Sequence, residues 1–255
     1  MSRFAAPFTA HTLAHALGTT GCGDAKQETP DAGKATDGVN EYLPLEVGNT
    51  WTFKVTDGNG VVTDKTTTVL EEQKVGGSGP NTDRDAFFVR TTKTGSDTED
   101  KTESWQGTVE LAEGQLASVR YREIAYQAST GMKELDEHWN PYKLRVDNFH
   151  VSADGEWIEN YTESKLYEDP ATPDTPDVDH YDVWAIQADE VSVTVPAGTF
   201  QARLVIRRAT NTGDPDKLYW FVPGIGKVQE VGGQTEQLVD CNIGGKTCAE
   251  IIAAQ

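Results

Sequence analysis

Beyond residue 41 the chain is a succession of short runs rich in threonine, valine and aromatic residues, separated at close intervals by Gly, Asn, Asp and Pro. Nothing else in the sequence restricts the fold as strongly. β-Branched and aromatic side chains suit a pleated, half-buried surface, and the chain holds 30 threonines, many of them in alternating runs. Trp51, Phe53 and Val55 alternate with polar neighbours, the period of a strand with one buried face. Asp57-Gly58-Asn59-Gly60 follows, a hairpin turn of the kind that needs positive φ, and 61–70 returns as the partner strand. The same reading predicts strands over 85–92, 101–105, 109–112, 115–126 (where a helix is the alternative), 139–146, 149–152 and 157–162. It continues with 179–188, 190–195, 200–210, 217–222, 227–231 and 234–239, and ends with a short helix over 249–254. Many short strands with regular turns imply one mainly β, antiparallel domain over 41–255, a curved sheet or incomplete barrel.

The first 40 residues follow other rules. Arg3 is the only Lys, Arg, Asp or Glu before Asp24. A short stretch of Ala, Leu, Phe and Thr follows it and leads to Thr19-Thr20-Gly21-Cys22, the parts of a secretory signal over 1–21. The Gly21-Cys22 junction resembles a bacterial lipobox, which implies lipidation of Cys22, although Thr19 stands where the lipobox usually has Leu. Residues 22–40 hold no large apolar side chain except Val39 and read as a flexible tether behind that anchor. Acylation by two or more chains gives firm membrane attachment. By the enteric sorting rule, Gly23 rather than Asp after the cysteine points to the outer membrane.

Cys241 and Cys248 flank a loop with Gly244-Gly245, which turns tightly. An envelope location permits a disulfide. The competing zinc reading needs four ligands, and neither a second Cys pair nor a His pair lies nearby. One lipidated cysteine and two paired ones account for all three.

The formal charge is −19, from 41 acids against 22 bases. This excludes nucleic acid as a partner, since such binding neutralises phosphates with Lys and Arg. Between Glu156 and Glu190 there are eleven acids and one Lys, and the stretch from Glu168 to Asp182 carries three prolines. Prolines interrupt strand ladders, so this stretch reads as a solvated surface loop. Asp174, Asp177, Asp179 and Asp182 in it are candidate oxygen ligands for Ca2+, without EF-hand spacing. No other cofactor is indicated.

Three stretches together carry a family resemblance. Tyr42-Leu-Pro-Leu-Glu-Val-Gly-Asn-Thr-Trp-Thr-Phe53 opens the domain; Val193-Thr-Val-Pro-Ala-Gly-Thr-Phe200 and Tyr219-Trp-Phe-Val-Pro-Gly-Ile-Gly-Lys-Val228 lie near its end. Together they resemble the TapB-like family of uncharacterised bacterial envelope proteins and lipoproteins. The resemblance implies a β-rich fold likened to the half-barrel of the LolA/LolB lipoprotein carriers. It also makes Trp51, Pro196, Gly198, Phe200, Trp220, Pro223, Gly224 and Gly226 determinants of the fold.

The common catalytic motifs are missing: there is no G-x-S-x-G, no H-E-x-x-H and no phosphate-cradling G-x-x-x-x-G-K-[ST]. Gly76-Gly-Ser-Gly79 reads as a flexible loop. The expectation is a non-catalytic cell-envelope lipoprotein, anchored to a membrane, that binds an apolar ligand, a lipidated partner or another envelope component on the concave face of the sheet. The alternative is a carbohydrate- or matrix-binding module. For that role Trp105, Trp139 and Trp157, outside the family motifs and beside Glu103, Glu137, Glu156 and Glu159, are the candidate exposed aromatic surface. An envelope hydrolase is the third reading.

Overall fold

The computed structural model of the chain describes residues 42–95, 99–127, 129–210 and 213–254. The expected signal (1–21), Cys22 and the expected tether (22–40) lie outside the described residues. Thirteen strands follow one another: β1 Thr50–Asp57, β2 Val62–Lys74, β3 Asp85–Thr94, β4 Glu99–Ala112, β5 Gln115–Gln127, β6 Lys133–Asp147, β7 Glu156–Tyr167, β8 Thr175–Val195, β9 Gly198–Ala209, β10 Lys217–Val222, β11 Gly226–Val231, β12 Gln234–Ile243 and β13 Lys246–Thr247. A short helix α1, Asn148–Ser152, follows β6, and α2, Cys248–Ala253, ends the described chain. Each strand pairs antiparallel with the next, and β1 also pairs with β12, so twelve strands close on themselves and β13 lies outside. The expected incomplete barrel is a closed one. Closure removes both sheet edges, which an open sheet has to protect.

Local chemistry explains the elements. Asp57 accepts the N–H groups of Asn59 and Val61, each at 2.8 Å, and so builds the β1–β2 turn. Threonines meet across the ladder, Thr67 with Thr91 on β2 and β3 at 3.0 Å, and Thr194 with Thr199 on β8 and β9 at 3.0 Å. The two strands expected at 101–105 and 109–112 are one, β4. Gly107 between them is needed for close approach, since a Cβ there would lie 3.1 Å from the Tyr121 ring. The stretch over 115–126 is a strand. Residues 149–152, expected as a strand, form α1, because Asp147 caps it by accepting the His150 N–H at 2.9 Å. The acidic loop is shorter than expected: β8 begins at Thr175, and Pro176 is tolerated near the strand start beside a register shift in β7.

Because strands alternate in direction, the start of β1 and the ends of β8, β10 and β12 share one rim. That rim is closed by apolar side chains. β8 carries register shifts between Ile186 and Val191, and its hairpin with β9 reaches round to β12, where Ala197 N–H donates to the Leu238 carbonyl at 3.0 Å. Val193, Val195, Phe200 and Ala202 of that hairpin pack in one core with Trp51, Phe53, Val222, Ile225 and Leu238. The Trp51 indole donates to the Ile225 carbonyl at 2.7 Å, and Gly226 lies against the Tyr42 carbonyl, which joins the two halves of the sequence motif. Of the other motif residues, Trp220 is half-buried against this core, Pro223 and Gly224 form the β10–β11 turn, and Pro196 and Gly198 frame the β8–β9 turn. The Cys241–Cys248 disulfide ties β12 to α2, whose Ile251 and Ile252 cover the same core.

Candidate functional site: a charged lumen with one open end

The register puts Lys65, Phe53, Leu238 and Glu236 on the inner face of β2, β1 and β12. Glu236 bridges Lys65 at 2.5 Å and Lys227 at 2.7 Å, and both ammonium groups sit 5.3 Å over the Phe53 ring. Glu230 takes Lys227 and, at 3.1 Å, Lys217. Burial works to raise the pKa of Glu236, but Lys227 and Lys65 overcome it and hold the carboxyl far below the usual range. Burial and the nearby Lys227 bring Lys65 down to about 8.

A second network lines β5 to β9. Asp182, fully buried, pairs with Arg207 at 2.5 Å. Glu163 accepts the Trp139 indole N–H at 2.9 Å and pairs with Lys165 at 3.1 Å and Lys143 at 3.6 Å. Arg120 pairs with Glu123 and stacks over Trp139. Beside this network an aromatic row crosses the wall, from His150 through Trp157, Trp184 and Tyr219 to Phe221, with ring centres 5.1–6.0 Å apart.

Twelve strands make a barrel wider than the eight whose interior side chains just fill. Long charged chains, paired with one another, fill the difference here. The interior is therefore polar along much of its length, and the apolar concave face expected from sequence is confined to the closed end and the aromatic row.

The opposite rim is open. A cavity of about 350 Å³ lies there, lined by Lys143, Arg207, Ala209, Asp214, Lys217 and Gln234 among others. Three cations from β6, β9 and β10 thus converge at the mouth of a chain whose net charge is −19.

Glu159 links this lumen to the wall. Pairing between β6 and β7 ends at Asn140–Thr162, and the Glu159 carboxyl takes the place of the missing ladder bonds: it accepts the Leu144 N–H and the Trp184 indole N–H, the latter at 2.9 Å. Burial pushes its pKa up to about 7 against the pull of those two donors. A carboxyl raised in the folded state favours folding below its unfolded pKa of about 4.3, and that contribution is lost as pH rises through about 7. Relative to Glu159→Gln, the wild type is expected to lose on the order of 2 kcal/mol between pH 5 and pH 7.5. Urea midpoints of both proteins at the two pH values check this; a difference between them that does not change with pH refutes it.

The outer face of the same wall carries a separate cluster. Arg122 clamps Asp136 through Nε at 2.8 Å and Nη2 at 2.6 Å, with His138 Nε2 3.0 Å from the same carboxylate. The loop expected to be merely flexible lies on this cluster. A Cβ on Gly77 would stand 2.7 Å from the Arg122 guanidinium carbon, and one on Gly79 2.2 Å from His138 Nδ1. Only glycine allows that approach.

Trp105, Trp139 and Trp157, expected to be exposed, are 7%, 1% and 7% exposed. Trp105 lies under Arg122 beside Phe88, Trp139 between Arg120 and Lys143, and Trp157 between His150 and Trp184. The acids two positions away share their faces, but they are partners within the wall and lumen and do not mark a solvent surface.

The four aspartates do not form a ligand set. Asp182 points inward to Arg207, Asp179 accepts the Thr162 hydroxyl at 2.9 Å, and Asp174 accepts the Tyr167 N–H at 2.8 Å. Asp174 and Asp177 line a shallow outer hollow with His138. Among the described residues no three His, Cys, Asp or Glu side chains converge as a metal site. Cys22 lies outside the described residues.

No family model and no curated protein matches the chain, and the TapB-like resemblance accordingly rests on the quoted motifs. Two solved structures are similar to it. One is a protein provisionally described as a lipoprotein, from Parabacteroides distasonis, with 14% identity and a TM-score of 0.41, covering 79% of this chain and 98% of that one. The other, from Bacteroides fragilis, is provisionally described as an exported protein with a YmcC-like fold, with 10% identity, a TM-score of 0.43 and the same coverage.

Proposed function

We propose that the chain is a lipid-anchored, non-catalytic protein of the bacterial cell envelope whose barrel is a cup for a small polar ligand. The signal-like segment, the Gly21-Cys22 junction and the tether support the location, and a disulfide between the two remaining cysteines suits an oxidising compartment. On this reading Gly23 directs the protein to the outer membrane, and the anchor is its membrane partner. The cavity at the open rim carries the ligand reading: one end of the barrel is shut by apolar packing, and the other opens onto Lys143, Arg207, Lys217 and Gln234. A long acyl chain has no continuous dry seat there, because the polar side chains that line the cavity would lose their hydration against it. A small hydrophilic molecule meets donors on several walls.

Two readouts test the proposal on protein purified from its own envelope. Palmitate labelling is expected in the wild type and lost in Cys22→Ser; equal labelling refutes the anchor. Native mass spectrometry is expected to show a hydrophilic small molecule bound to the wild type and absent from Ala209→Trp, which fills the cavity. A co-purified lipid, no small molecule in the wild type, or retention in Ala209→Trp refutes the cup.

A further inference from the structure

Arg145 lies on β6, two residues beyond Lys143 and further from the open rim, as the extra residue of a bulge where Leu144 and Val146 pair with Val119 and Ser118 of β5. Its side chain retains some solvent contact, yet its electrostatic neighbours come from both sides of the barrel: Arg120 and Glu123 on β5, Tyr219 on β10 and Glu230 on β11. β10 and β11 stand four and five places from β6 in the sheet. The guanidinium therefore projects across the lumen, and the solvent it meets is the lumen's own.

The carboxylates around it are already taken. Glu123 pairs with Arg120, and Glu230 is shared by Lys217 and Lys227. Among the described residues Arg145 has no ion pair, and its Nε is buried without a hydrogen-bond partner. Arg120 Nε beside it is likewise unsatisfied. A buried cation without a partner is costly, and structures keep such a group where something else completes it.

We infer that Arg145 seats an oxyanion group, a carboxylate or a phosphate, on the ligand that enters through the open rim. This rests on the cup reading. The guanidinium fork matches the two oxygens of such a group in parallel hydrogen bonds. Lys143, Arg207 and Lys217 at the mouth provide the attraction that draws an anion into an otherwise acidic protein. The remainder of the ligand occupies the rim cavity, so the molecule is small and polar with one terminal acid.

The test follows thermal midpoints at low ionic strength while inorganic phosphate or acetate is added, against chloride at matched ionic strength. The wild type is expected to show a saturable rise of several degrees with at least one of the two oxyanions, and the stronger one identifies the acid. Arg145→Gln is expected to bind that anion at least tenfold more weakly, and to have the higher midpoint when no oxyanion is present, since the unpaired charge is gone. Arg145→Lys keeps the charge without the fork and is expected to fall between them. No saturable rise in the wild type, or an equal rise in Arg145→Gln, overturns the assignment. So does a lower oxyanion-free midpoint in Arg145→Gln, which would mark the guanidinium as structural. Ala209→Trp separates the two proposals. If the mass-spectrometric result holds and only the Arg145 variants behave like wild type, the cup stands and the oxyanion seat falls.

Discussion

Replacing Glu236 by glutamine is expected to destabilise the protein by about 3–5 kcal/mol, the cost of removing one partner from a buried ion network. Glu236 is 3% exposed and neutralises two ammonium groups at once. Lys227 retains Glu230, but Lys65 loses its one carboxylate partner among the described residues. Its pKa, already down at about 8 from burial and from Lys227, falls further. Some of the cost is relieved by its losing a proton, so the variant is expected to be least impaired at high pH. Glu236 carries the opposite dependence in the wild type: its contribution is present above about pH 4.3 and is lost as pH falls through its depressed folded value. Urea unfolding of Glu236→Gln, and of Glu236→Leu combined with Lys65→Met, measures the effect. The double variant is expected to recover most of the loss, since apolar replacements of both partners leave no orphan charge. A single-variant cost under about 1 kcal/mol would show that the lumen is wet enough to solvate Lys65, and would sink the buried-network account.

Phe200→Ala is expected to cost about 3–5 kcal/mol by lost burial and the cavity it leaves. Phe200 is 2% exposed and sits where the β8–β9 hairpin packs on Trp51, Leu238 and the α2 cover. This packing and the Ala197–Leu238 hydrogen bond hold the hairpin against β12. Val178→Ala on the exposed part of β8 is the control, expected within about 0.5 kcal/mol of wild type. If Phe200→Ala costs no more than that control, the hairpin lies outside the cooperative core.

Much of the architecture was legible in the chain because strand period and turn chemistry are local. Trp51, Phe53 and Val55 do alternate inward, Asp57-Gly58-Asn59-Gly60 does turn, and Pro196-Ala197 and Pro223-Gly224 do separate neighbouring strands. What failed was also local in origin. Strands were expected to break at 106–108 and to resume only at 179 after the prolines, but a strand accepts Gly107 where a ring from its neighbour must come close, and Pro176 beside a register shift in the ladder.

The candidate site was barely legible. Glu103, Glu137 and Glu159 beside tryptophans suggested an outer, solvated surface, because in a small domain charge and indole together mean the rim of the core. The fold reverses that inference in two ways: the β2–β3 loop covers Arg122 over Trp105 on the outer face, and closure turns Glu137 and Glu159 into the lumen. The β1–β12 pairing joins residues nearly 190 positions apart, and no periodic signal announces it. Once it forms, the inner wall is wide enough to need Lys65, Arg120, Lys143, Arg207, Glu230 and Glu236 as filling; Lys65 and Glu236 meet from 171 positions apart, while Arg120, Lys143, Arg207 and Glu230 pair within their own strand or with the next one. The amino-acid sequence by itself determined that this is an acidic, antiparallel β domain behind a signal-like leader, because composition, alternation and turns act over a few residues. The tertiary structure alone decided that the barrel closes, that one rim is sealed and the other open, and that Arg145 has no ion-pair partner among the described residues. Those outcomes depend on which strands meet, and on charge balance across a lumen that does not exist until they do.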